Sequence, residues 1–324
     1  MNQRINQKLL VCVWLFALGA QVFADSLPDA SIDIYEEKYF YAEKALDAGD
    51  YVKAEKLLRT LAEQGYAQAQ FKLGLIYALG NGVPQDYKEA VKWHRLAAEQ
   101  GLGNAQFNLG VMYDQGNGVP QDYKEAVKWY LLAAGHGIAE AQDNLGLMYS
   151  KGQGVPQDYT EAVKWHRLAA EQNFPGAQTN LGTRYYLGQG VSQDFHMAVR
   201  WWERAAERGN SKAQFNLGLM YDLGKGVSQE YKEALKWYRL AAEQGHASAQ
   251  LNLGVMYGNG QGVPKNHVLA YMWAYIATTN DTPSKIQKLS TEVLSLVAKQ
   301  MKSNQIAEAR ELAGKCISNK FKGC

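Results

Sequence analysis

The sequence predicts an all-α protein: an α/α superhelical solenoid of helix-turn-helix repeats with a 36-residue period, closed by a C-terminal helical cap. Two observations predict it. The pattern Ala-Gln-x-x-Leu-Gly recurs at Gln70, Gln106, Gln142, Gln178, Gln214 and Gln250, each 36 residues from the last and without an insertion. Self-similarity at a fixed period of this size marks stacked-repeat architectures. Within each period the apolar residues fall at helical spacing twice, so one unit is two helices.

The unit that starts near Asn104 shows how each element is specified. Ala105, Leu109, Met112 and Tyr113 set the first helix, which stops at Gly116, where glycine suits the left-handed residue after a helix end. Pro120 then leads into Asp122 and Glu125, read as a reciprocal cap in which the acid three positions on returns to the backbone. Asp86/Glu89 and Asp158/Glu161 repeat the pair, while Asp194 faces Met197 and forms a weaker cap. Ala126, Trp129, Ala133 and Ala134 set the second helix, and Gly135 to Gly137 close it. Gly74, Gly110, Gly146, Gly182, Gly218 and Gly254 lie inside the first helices, where each costs about 1 kcal/mol relative to alanine. Close approach of the partner helix near Ala126 or Ala133 is the expected compensation. Tryptophan (Trp93, Trp129, Trp165, Trp201, Trp237, Trp273) and tyrosine (Tyr77, Tyr113, Tyr149, Tyr185, Tyr221, Tyr257) are expected to fill the seams between units, since one such unit cannot bury its faces alone.

Composition narrows the function. Of 324 residues 47% are hydrophobic and 20% charged, which excludes a disordered or collagen-like chain. At the N-terminus, Arg4 and Lys8 precede an apolar run from Leu9 to Ala20 and the small-residue pattern Val22-Phe23-Ala24, which reads as a signal peptide, residues 1–24, cleaved before Asp25. That run is well short of the ~20 residues needed to span a bilayer. Cys12 follows Val11 too early in the run for a lipoprotein site. Loss of Arg4 and Lys8 takes 34 basic residues to 32, level with 32 acidic ones, and no basic run remains to hold phosphates, so nucleic acid is excluded as a partner. No stable membrane insertion is expected after cleavage.

Catalytic, metal-binding and cofactor roles find no support in the motifs. The Gly-x-Gly turns lack the third glycine and the Lys-Ser/Thr of a nucleotide loop. Asp114 and Glu125 have the spacing of a calcium loop's ends, but Gly116, Gly118 and Val119 stand where oxygen ligands belong. His94, His136, His166, His196, His246 and His267 show no metal-ligand spacing, and His94 and His166 replace Tyr130 and Tyr238, which reads as a tolerant helix surface. The six repeated tryptophans read as core, and Trp202 has no counterpart.

The string AQFNLGVMYDQGNGVPQDYKEAVKWYLLAA (Ala105 to Ala134) resembles the Sel-one-like repeat, a relative of the tetratricopeptide repeat, and six copies cover residues 67–279. ALDAGDYVKAEKLLRTLAEQG, with Asp50, Tyr51 and Ala54 in the places of Asp86, Tyr87 and Ala90, resembles a divergent first unit at 37–66 after a leader at 25–36. Residues 280–324 are similar to a capping segment. The resemblance implies a non-enzymatic scaffold or adaptor, exported to the periplasm of a Gram-negative bacterium or secreted, monomeric, and holding protein or peptide partners on the concave face. The alternative is a cell-wall-directed or β-lactam-hydrolysing enzyme, although no Ser-x-x-Lys motif is present. By the same resemblance, the position of Lys72, Asn108, Asn144, Asn180, Asn216 and Asn252 faces the concave surface. Its asparagines would hydrogen-bond an extended peptide, with Phe71, Phe107 and Phe215 as apolar footholds and Asp143, Thr179 and Leu251 interrupting them. The competing expectation is that these asparagines tie neighbouring helices together.

Cys316 and Cys324 are the cysteines left after cleavage, and an even pair in an exported protein favours a disulfide. Its loop contributes about 2.5 kcal/mol on the chain-entropy estimate. Thiol titration of unreduced protein expressed in the periplasm is expected to find no free thiol; two per monomer would refute the bridge.

Overall fold

The structure is a computed structural model that describes residues 29–279 and 284–324. The expected signal peptide, residues 1–24, lies outside the described residues. Sixteen helices and no strand occur among those described. Helices α1 (Asp29–Asp47) and α2 (Tyr51–Glu63) form the divergent first unit, and α1 starts within the stretch expected to be a leader. Six helix pairs follow: α3 (Ala67–Leu79) with α4 (Tyr87–Glu99), α5 (Gly103–Gln115) with α6 (Tyr123–Gly135), α7 (Ala139–Lys151) with α8 (Tyr159–Glu171), α9 (Pro175–Leu187) with α10 (Phe195–Glu207), α11 (Ser211–Leu223) with α12 (Tyr231–Ala242), and α13 (Ala247–Asn259) with α14 (His267–Thr279). Helices α15 (Ser284–Ala298) and α16 (Ser303–Ser318) close the stack. We call the six pairs units 1 to 6. Through α14 each helix packs chiefly on the one before and the one after it, while α15 and α16 both pack on α14, which makes the architecture an all-helical solenoid with a helical cap.

The two helices of a unit hold different places. In α5 only Gln115 is exposed, whereas α6 exposes Lys124, Lys128, Leu131, Leu132 and Gly135 along one side. First helices therefore form an inner layer and second helices an outer one.

One polar contact joins every unit to its predecessor. The amides of Gln70, Gln106, Gln142, Gln178, Gln214 and Gln250 donate to the carbonyls of Ala62, Ala98, Ala134, Ala170, Ala206 and Ala242, each eight residues earlier. These carbonyls end the preceding second helix, where the helix supplies no partner of its own. A second glutamine closes the other end of the first helix: Gln85, Gln121, Gln157, Gln193 and Gln229 donate to Ala78, Asp114, Ser150, Tyr186 and Asp222 carbonyls.

The turn between the helices needs both its glycines, for different reasons. Gly116 and its equivalents adopt a left-handed φ as C-caps of the first helices (71° at Gly116). Gly118, Gly154, Gly190, Gly226 and Gly262 also have positive φ, and a Cβ there would overlap the carbonyl of Tyr87, Tyr123, Tyr159, Phe195 or Tyr231 in the unit before. The second glycine is thus where one unit's turn lies on its neighbour's outer helix. Asp86, Asp122 and Asp158 cap the second helices by accepting two backbone N–H groups each, and Asp194 accepts one, from Met197. The reciprocal half of the expected cap does not form. The N–H groups of Asp86, Asp122 and Asp158 donate to the Tyr77, Tyr113 and Tyr149 carbonyls, and Glu89, Glu125 and Glu161 pair instead with Lys92, Lys128 and Lys164.

At the C-terminus, Cys316 of α16 is disulfide-bonded to Cys324 with Cα atoms 5.6 Å apart, and both belong to the cluster that contains Trp273, Ile276 and Val297. A matched pair of substitutions tests the turn. Gly154→Ala combines left-handed strain of about 1–2 kcal/mol with a backbone overlap, whereas Gly137 has the same sign of φ and nothing within 4 Å of a built Cβ. Thermal denaturation should find Gly154→Ala clearly less stable than Gly137→Ala; equal losses would remove the proposed unit-to-unit contact.

Candidate functional site: the inner helices and the rings beneath them

The helix glycines seat a side chain rather than a bare backbone in five of six units. A Cβ on Gly110 would come within 2.7 Å of the Tyr130 ring, on Gly74 within 2.7 Å of His94, on Gly146 within 2.6 Å of His166, on Gly182 within 2.7 Å of Trp202, and on Gly218 within 2.7 Å of Tyr238. In unit 6 the same place holds Ala274, and only there do backbone atoms dominate, with the Ala270 carbonyl 3.0 Å from a Cβ on Gly254. The expected approach of the partner backbone is corrected accordingly. The group that needs the missing Cβ is the residue after the repeated tryptophan.

This also corrects the reading of His94, His166 and Trp202. His94 and His166 are 1% and 0% exposed, so their exchange with Tyr130 and Tyr238 marks a core position of variable shape and not a tolerant surface. Trp202 is the unit 4 counterpart, buried, with its indole N–H donating to the Thr179 carbonyl. The repeated tryptophans pack as expected. Trp129 lies with Ala90 and Leu109, Trp93 with Leu58 and Leu73, and Trp201 with Ala169 and Leu181, each reaching the preceding unit. Tyrosines of the first helices meet arginines of the unit before: Arg59, Arg95, Arg167 and Arg239 donate to the hydroxyls of Tyr77, Tyr113, Tyr185 and Tyr257.

The ring position organises the inner face. Phe71 packs on His94, Phe107 on Tyr130 and Phe215 on Tyr238, with centroids 5.6, 6.0 and 5.8 Å apart. All three phenylalanines are half-buried. Four residues after the glycine, the residue varies with the ring: Asp222 accepts from the Tyr238 hydroxyl at 3.4 Å and Asp114 faces Tyr130, whereas units 1 and 3, with the shorter His94 and His166, carry Ala78 and Ser150 at that position.

The asparagines separate into two groups. Asn180 donates to both carboxylate oxygens of Asp143 at 3.0 and 3.2 Å, and Asp143 also meets His166 Nδ1 at 2.6 Å, which forms a buried polar brace between units 3 and 4. Asn108 is 6% exposed and its amide nitrogen has no partner. These two leave the expected ladder because one is engaged and the other is covered. Asn144, Asn216 and Asn252 remain half-buried on the first helices, with Asn144 and Asn252 beside the Tyr130 and Tyr238 hydroxyls. Thr179 and Leu251 are buried.

Among the described residues no group of three or more His, Cys, Asp and Glu gathers as metal ligands would. His136 is exposed in the turn after α6 and His196 on α10, and His246 caps α13 by accepting the Ala249 N–H. No helix of the described residues is long and apolar enough to cross a membrane.

The Sel1 repeat pattern matches residues 39–66, 67–102, 103–138, 139–174, 175–210, 211–246 and 247–281. The chain belongs to the Sel1 repeat family. It is similar to the crystal structure of a Sel1 repeat protein from Oxalobacter formigenes, with a TM-score of 0.70 and 33% identity over 76% of this chain and 98% of that one. A further solved structure is c5321, a protective antigen present in uropathogenic Escherichia coli strains displaying an SLR fold, with a TM-score of 0.49 and 26% identity over 90% of this chain and 86% of that one. No curated protein matches. Sel1-repeat solenoids commonly serve in protein interaction and are generally non-enzymatic scaffolds.

Burial pushes His94 down to about 3 from 6.5. The folded protein thus holds His94 neutral while the unfolded chain takes up a proton below pH 6.5, so stability from this group is complete above 6.5 and falls by about 1.4 kcal/mol per pH unit below it. His94→Tyr, which installs the ring of units 2 and 5, should remove that loss. Denaturation at pH 7 and pH 5 is expected to show the variant gaining on the parent by about 2 kcal/mol at the lower pH; parallel pH profiles would contradict a buried neutral imidazole.

Proposed function

We propose that the mature chain is an exported, non-enzymatic Sel1-repeat scaffold that binds an extended segment of a protein partner along its inner helices. The observation that carries this reading is the row of half-buried Phe71, Phe107 and Phe215, each seated on a buried ring, alongside Asn144, Asn216 and Asn252. A seated phenyl ring offers apolar area at little entropic cost, since its rotamer is already set. An asparagine amide supplies one donor pair and one acceptor to a peptide backbone. Family membership supports protein binding in general terms. Export is supported by the cationic and apolar character of residues 1–24 and by the Cys316–Cys324 bridge.

The test uses the three half-buried asparagines outside the Asp143 brace, two of which also meet the ring hydroxyl of the unit before. Asn144→Ala, Asn216→Ala and Asn252→Ala in one chain should lower partner capture from envelope extract by tenfold or more, about 1.4 kcal/mol, with the melting temperature nearly unchanged. A clear loss of stability with capture intact would assign the asparagines to the fold instead. The same purified protein should turn over neither peptidoglycan nor a chromogenic β-lactam; hydrolysis of either would overturn the non-enzymatic reading.

A further inference from the structure

Unit 4 departs from the repeat at one core position. Where units 1, 2, 3, 5 and 6 place Ile76, Met112, Met148, Met220 and Met256, all buried, unit 4 places Arg184. A cation in a seam designed for a thioether is costly unless something neutralises it. Nothing in the described residues does. Arg184 is in no ion pair, its Nε is buried without a hydrogen-bond partner, and its other polar contact is the neutral Gln189 side chain. Burial lowers its pKa, and the only counter-effect is Tyr159. The acids on this edge are otherwise engaged: Asp158 and Asp194 accept backbone N–H groups at the starts of α8 and α10.

The guanidinium is nevertheless held in place. It lies over the Tyr159 ring of unit 3 at 5.4 Å, and Gln189 fixes one terminal nitrogen. One turn further along α9, Leu187 is 47% exposed, and its counterpart one unit on, Leu223, is 49% exposed. The equivalent residues of units 2, 3 and 6 are Gln115, Lys151 and Asn259, and that of unit 1 is the less exposed Leu79, so the exposed leucines of this position are those of units 4 and 5. An oriented, partly desolvated arginine over a tyrosine ring, with an exposed leucine one turn along its own helix, has the make-up of an interface anchor.

We infer that Arg184, oriented by Tyr159 and Gln189, is the seat of a carboxylate side chain of a protein partner whose neighbouring apolar residues rest on Leu187 and Leu223. This rests on the protein-binding reading above but places a charged anchor at the turn edge of units 4 and 5, away from the asparagines of the inner face. A carboxylate matches the planar guanidinium with paired hydrogen bonds and supplies the missing countercharge.

The probe is the blocked peptide acetyl-Leu-Glu-Leu-Leu-amide, compared with its Gln analogue, titrated into the mature full-length protein while the Arg184 Nε–H and the leucine methyl signals are followed by NMR. The Glu peptide is expected to shift the Arg184, Leu187 and Leu223 signals saturably, the Gln peptide at least tenfold more weakly. Arg184→Met, the residue of four other units, should abolish the response and raise the melting temperature. Equal titration by the two peptides, or an Arg184→Met protein that is less stable than the parent, would overturn the inference and make Arg184 structural. The chain carrying Asn144→Ala, Asn216→Ala and Asn252→Ala separates the two proposals. It should bind the Glu peptide as the parent does; loss of that binding there, with retention in Arg184→Met, counts against the anchor and for the inner-face site.

Discussion

A glutamine amide reaching back to the last turn of the preceding helix is the contact on which the stack depends. Every second helix ends with carbonyls that its own backbone cannot satisfy, and at a unit boundary water is excluded from them. Gln70, Gln106, Gln142, Gln178, Gln214 and Gln250 resolve this by bringing the donor from the next unit, so the cost of burying the helix end is met only when the next unit is in register. A shorter side chain would not reach, and an apolar one would leave the carbonyl buried and unmet. In units 1, 3 and 5 the same glutamine accepts at its oxygen from Gln100, Gln172 and Gln244, which locks the loop that follows. Units 2 and 4 have His136 and Arg208 at that place, and the oxygens of Gln106 and Gln178 stay unpartnered. The array therefore alternates between tighter and looser boundaries on a two-unit period.

On that frame the chain varies one nested set of residues. The first-helix glycine is constant, while the ring upon it changes together with the residues on either side. Tyrosine goes with an aspartate beyond the hydroxyl, histidine with alanine or serine, and tryptophan with Thr179 and Tyr186, the latter tilted against it with centroids 5.7 Å apart. Close packing explains the linkage, since a core side chain cannot lengthen by an atom unless a neighbour yields it. Unit 3 takes this furthest by replacing a Phe–ring pair with the Asp143–His166 pair and drawing in Asn180 from unit 4. Units 3 and 4, where Arg184 also sits, are consequently the most polar part of an otherwise apolar interior.

Much of this was legible in the sequence because repetition turns one chain into its own alignment. The period fixed the helix pairs, and the positions of Asp86, Asp122 and Asp158 located the caps. The constant tryptophans declared the inter-unit core, and two cysteines sufficed for the bridge. Each of these follows from local spacing or from a pattern repeated along one axis, so no knowledge of which faces meet was required. The glycines inside helices announced that something approached closely, but spacing did not say what.

Tertiary structure alone decided the rest. Whether a residue next to tryptophan is surface or core depends on a rotation of about 100° around the helix, and only the packed neighbour shows that His94 and Trp202 point inward. Asn108 and Asn144 occupy the same place in the repeat, yet one is sealed and the other half-buried, a difference that spacing along the chain does not carry. Glu89 was equally able to return to the backbone or to meet Lys92, and the Tyr77 carbonyl, brought near by the turn, settled the choice by satisfying the Asp86 N–H first. The sequence by itself determined the elements and their period, since those rest on local propensity and spacing. The partners of individual side chains were decided by the stack, because they depend on atoms a whole unit away along the chain.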